Sequence, residues 1–161
     1  MQTTNWREKF AGIFTFLIGL TFLGLLVFDF ISSRASSLTA ADENIVINRG
    51  ALFMYLRVCL GILISLIGGV ALLKVRRTGW VFCTAILVLH VVITGYLFFF
   101  LSKLGMKKEM IAVSVPFTLG LLSVIFLLLP GTRQKYRVSS TTILLTLVFL
   151  LAIGALFFFL Q

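Results

Sequence analysis

A chain of 161 residues is about one domain long, yet 60% of it is hydrophobic and only 12% is charged, with a mean hydropathy of +1.15. Soluble domains are roughly 45–50% apolar and about 25% charged, so a water-soluble fold has no means of hiding this much apolar surface. The formal charge of +9 comes from Lys and Arg at the edges of apolar blocks rather than along one face, which argues against nucleic acid as a partner and marks membrane topology and phospholipid headgroup contact instead.

The first apolar block covers residues 10–31 and follows Arg7 and Lys9. It is longer than a usual signal-peptide core and no small-x-small cleavage site follows it cleanly, so it reads as a retained helix with Trp6 as an interfacial anchor. Residues 32–50 are the longest polar stretch, carrying Arg34, Asp42, Glu43 and Arg49, and form the expected extramembrane loop. Thr39 followed by Asp42 is a loose helix-capping pattern there.

Four further blocks, 51–73, 80–101, 111–129 and 142–160, are each long enough to span a bilayer core, which takes about 20 residues. The connections at 74–79, 102–110 and 130–141 are short and impose antiparallel neighbours. The expected fold is an all-α integral membrane protein, a single domain of five transmembrane helices. Segments 95–101 (GYLFFFL) and 154–160 (GALFFFL) are similar and each closes a helix that follows a basic turn. The last four helices therefore read as either two tandem hairpins forming a core beside the N-terminal helix, or a chance match within a Leu/Phe-rich composition.

With the N-terminus inside, the cytoplasmic side carries Arg7, Lys9, Lys74, Arg76, Arg77, Arg133, Lys135 and Arg137, and the other side carries Arg34, Arg49, Lys103, Lys107 and Lys108. Eight against five places the N-terminus in the cytoplasm and the C-terminus outside. Short loops and a retained first helix suit a bacterial inner membrane.

Charge inside a span is costly enough to suggest function, and Asp29 and Arg57 are the two cases. Both fall in the outer leaflet on this topology, where an ion pair between them either fixes helix packing or binds an anionic group. His90, the single histidine, sits midway along the third span as a core histidine or a cofactor ligand, and no second histidine accompanies it. Cys59 and Cys83 lie in apolar spans and behave as small hydrophobes, so neither a metal nor another cofactor is expected.

Gly61, Ser65 and Gly69 recur every four residues on the second helix, and Ala11, Thr15 and Gly19 do so on the first, giving two small-residue faces that suit close helix packing. Pro116 invites a kink in the fourth span. No acid/base pair, nucleophile arrangement or phosphate loop assembles from these residues. The sequence therefore points to a non-catalytic accessory or scaffold subunit, with membrane lipids and other membrane subunits or further copies of itself as partners. A small transporter or oligomeric channel using Asp29, Arg57 and His90 is the alternative, and a membrane-embedded enzyme is the third reading.

Overall fold

A computed structural model describes residues 4–39 and 49–159, with side chains at 4–32 and 55–156. The described chain is all-helical: α1 (Trp6–Thr39), α2 (Arg49–Leu73), α3 (Arg77–Lys103), α4 (Lys107–Leu128), α5 (Pro130–Lys135) and α6 (Ser140–Phe159). Four helices, α1 to α4, are long and apolar enough to cross a membrane, and α6 is a shorter apolar helix over the residues with described side chains. Large apolar side chains such as Leu17, Phe28, Ile67, Val92, Ile111 and Leu144 face outward. That surface is stable in hydrocarbon and not in water. The fold is an all-α membrane bundle.

Helix α1 extends beyond residue 31 to Thr39, because hydropathy marks the edge of the bilayer and not the end of a helix. Neither glycine nor proline interrupts the sequence between Gly24 and Gly50. Part of the 32–50 stretch expected as a loop is thus helical, and residues 40–48, with Asp42 and Glu43, lie outside the described residues.

Helices α1, α2, α3 and α4 pack as a ring in which α1 touches both α2 and α4, and α3 lies opposite it. One of the two readings of the repeated segments put the core in the last four spans; in the structure α1 packs on both α2 and α4, and α6 packs on α3. The reason is α5. Pro130 opens it at the first helical position, where a missing N–H costs nothing, and its six residues lead the chain away from α4 to the far side of α3.

Close packing follows the small residues. A Cβ on Gly69 would lie 2.8 Å from the Gly12 carbonyl oxygen, and one on Gly19 would lie 3.0 Å from the Ser65 Cβ, so α1 and α2 meet almost backbone to backbone. Ala11, Thr15 and Ser65 are buried in the same region. Gly61 is half-buried, and its carbonyl accepts the Ser65 hydroxyl at 2.8 Å. Gly79 at the start of α3 is tighter still, since a Cβ there would fall within 2.4 Å of the α2 backbone at Ala71 and Leu72. Helix α4 continues through Pro116.

Burial is uneven along the bundle. The buried residues of α1 are Glu8, Ala11, Gly12, Thr15, Ile18 and Gly19, those of α2 run from Ile62 to Gly69 and Leu72, and those of α3 cluster between Gly79 and Leu87. Over residues 20–32 of α1 and 107–119 of α4, no described side chain is buried. Among the described residues, burial is therefore concentrated toward the α5 end of the ring.

Candidate functional site at the basic end of the bundle

The tight end is built around Glu8. Asn5 precedes α1 and donates its backbone N–H to Glu8 Oε2 at 3.0 Å, the back-reaching half of a capping box. The same oxygen receives Lys135 Nζ from α5 at 2.5 Å. Glu8 is 2% exposed and Lys135 14%, so this ion pair is desolvated on its acidic side.

Beside it, Tyr136 passes beneath the ring and donates its hydroxyl to the Leu72 carbonyl of α2 at 2.9 Å. Trp80 of α3 donates Nε1–H to the Leu127 carbonyl of α4 at 3.0 Å, and Thr132 donates to the Phe126 carbonyl at 3.0 Å. The Trp80 and Thr132 bonds cap carbonyls at the end of α4, and the Tyr136 hydroxyl joins the Val75 N–H as a second donor to the Leu72 carbonyl. Arg77 Nε donates to Thr142 Oγ1 at 2.8 Å and its Nη2 to Ser139 Oγ at 3.1 Å, which ties α3 to the start of α6. Burial raises the Tyr136 phenol above its ordinary value of 10.0, and the nearby Glu8 charge raises it further.

Two backbone positions at this end are left-handed without being glycine. Val75 (φ 54°) and Arg137 (φ 50°) each close a Schellman-type helix stop, as Gly105 (φ 69°) does at the opposite end. At Val75 the bonds are Arg76 N–H to Ala71 O and Val75 N–H to Leu72 O, and at Arg137 they are Val138 N–H to Arg133 O and Arg137 N–H to Gln134 O.

The residues singled out from sequence lie elsewhere. Asp29 of α1 accepts the Tyr55 hydroxyl of α2 at 3.0 Å. The ion pair expected with Arg57 is not among the described contacts. Arg57 itself is half-buried. His90 is half-buried on α3, where Nε2 lies 3.3 Å from the Pro116 carbonyl oxygen. A carbonyl can only accept, so that nitrogen carries the proton. Its ring also meets Phe14 edge to face at 5.8 Å and lies over Gly120.

Cys83 is buried, the Thr15 hydroxyl donates to the Ala11 carbonyl at 2.8 Å, and Cys59 is exposed. Among the described residues, no group of three metal-ligating side chains converges. Glu8, Arg77, Trp80, Lys135 and Tyr136 were not singled out from the sequence, although Asn5-Trp6-Arg7-Glu8 carries the spacing of a capping box.

Fold and site together define an α-helical membrane protein closed at one end by a buried polar plug. No family model, curated protein or solved structure matches the chain.

Proposed function

We propose that this protein is a non-catalytic accessory or scaffold subunit of a larger membrane complex, held together internally at one end and offering the other to partner helices. The observation that carries this reading is the uneven packing. One half of the ring is closed by the Glu8–Lys135 pair and the Tyr136 and Trp80 bonds, while the other exposes Phe22, Leu25, Phe28, Val92, Ile111 and Val115. A ring whose buried polar ties cluster toward one end presents, toward the other, apolar helix faces that a neighbouring helix fills better than disordered lipid chains do, through dispersion contact and close approach.

The polar side chains support a structural role. Thr15, Thr21, Ser65, Thr94, Thr118, Ser123 and Thr146 each donate to a carbonyl four residues earlier in their own helix, so these hydroxyls are committed to the backbone. The α5 end collects eight of the chain's Lys and Arg, which supports the reading of that end as cytoplasmic, with the N-terminus inside and the C-terminus outside, and the proposed address is the inner membrane of a bacterium.

The test is photo-crosslinking in native membranes from single positions on the less buried half, Leu25 and Val115, compared with Arg76 at the closed end. Defined adducts of one or two discrete masses from Leu25 and Val115 alone support the subunit reading. Crosslinks only to lipid, or only to a second copy of the chain, contradict it, and the second result favours an oligomeric pore.

A further inference from the structure

The basic end holds two adjoining grooves that the polar plug does not fill. One, of about 480 Å³, opens where the α2–α3 turn meets the α5–α6 connection and is lined by Val75, Arg77, Lys135, Tyr136 and Arg137. The other, of about 270 Å³, lies across Arg137 and is lined by Pro130, Arg133, Gln134, Arg137 and Val138. Among the described residues, neither lining contains a carboxylate. Lys135 is neutralised by Glu8, so the charge left in the grooves belongs to three guanidinium groups, those of Arg77, Arg133 and Arg137.

We propose that these grooves form a binding site for a phosphate group carried by an acidic phospholipid headgroup. Three features support the assignment. A guanidinium offers five N–H donors in a planar fork that matches phosphate oxygens two at a time. Arg77 is held in place by Thr142 and Ser139 through only part of its donor set, so it is positioned before any anion arrives. Arg133 and Arg137 are the two ends of one helix stop, in which the Val138 N–H bonds the Arg133 carbonyl at 2.9 Å and Arg137 takes the left-handed conformation. That turn fixes the spacing of the two cations.

The grooves also sit beyond the ends of the apolar helices, at the depth where headgroup phosphates lie. A free phosphate ion has the same recognition chemistry, and the experiment separates the two sources.

The purified protein in nonionic detergent is titrated with dioctanoyl phosphatidic acid and, separately, with inorganic phosphate, and bound species are counted by native mass spectrometry. The unmodified chain is compared with Arg133→Gln, Arg137→Gly and, as a control at the opposite end, Lys108→Gln. Arg137→Gly removes a cation while giving the left-handed position the residue that accepts it most easily, so its melting temperature stays level or rises and lost binding is not lost folding.

One lipid per chain, bound roughly tenfold more weakly by each groove variant and unchanged in the control, is the expected result. Inorganic phosphate binding with the same dependence on Arg133 and Arg137 supports the phosphate chemistry and overturns the lipid source. Equal affinity in all four proteins for both ligands, or an equal loss in the Lys108 control, overturns the site.

Discussion

Replacing Lys135 with methionine leaves the Glu8 carboxylate, 2% exposed, with the Asn5 N–H at 3.0 Å as its one remaining hydrogen-bond partner among the described residues. Removing one partner of a fully buried ion pair costs about 3–5 kcal/mol, and the 14% exposure of Lys135 admits enough solvent to bring the expected loss down to about 2–4 kcal/mol. Glu8→Gln keeps an acceptor for Asn5 and for Lys135 and loses only the charge, so about 1–2 kcal/mol is expected. The double variant, with no buried charge stranded, is more stable than the sum of the two single losses by about 1–2 kcal/mol. The assay is unfolding by increasing SDS fraction in mild detergent, followed through the fluorescence of buried Trp80. Additive single losses, or a Lys135→Met cost below about 1 kcal/mol, refute the view that this pair closes the bundle.

Three other perturbations probe the same end and the centre. Gly79→Ala places a Cβ 2.2 Å from the Leu72 nitrogen, so α2 and α3 must separate and about 3 kcal/mol or more is lost, read in the same SDS titration. Tyr136 has a folded-state ionisation above its ordinary 10.0, so its contribution to stability is intact below pH 10 and declines as pH rises beyond that value. Ultraviolet titration of the folded protein is expected to show a tyrosine that ionises above the ordinary value of 10.0, and Tyr136→Phe abolishes that late phase. His90→Phe removes the donor to Pro116 O yet fills the same aromatic space against Phe14, so a loss of only about 1 kcal/mol is expected, with helicity unchanged by circular dichroism.

The membrane architecture was legible because hydropathy is a one-dimensional signal: an apolar stretch of bilayer length announces a helix without reference to anything else in the chain. The small-residue faces were legible for a related reason, since Gly61, Ser65 and Gly69 on one helix and Ala11, Thr15 and Gly19 on the other declare a face by spacing alone. The polar plug was not. Glu8 and Lys135 are 127 residues apart, and nothing local to either names the other. Glu8 carried one overlooked cue, its capping-box spacing from Asn5. Val75 and Arg137 gave none, because a left-handed position is normally betrayed by glycine, as at Gly105. The approach of α6 to α3 was hidden as well, since it depends on the direction in which the six residues of α5 carry the chain. Asp29 accepts the Tyr55 hydroxyl at 3.0 Å, a partner that reasoning by depth alone did not name.

Native mass determination of the complex extracted in gentle detergent is the most direct measurement of whether this bundle works as part of a larger membrane assembly. A fixed stoichiometry with larger membrane subunits, lost when bulky side chains replace Leu25 or Val115 and kept when Arg76 is changed, is the expected result. A monomer carrying only lipid, or a closed ring of this chain alone, contradicts it.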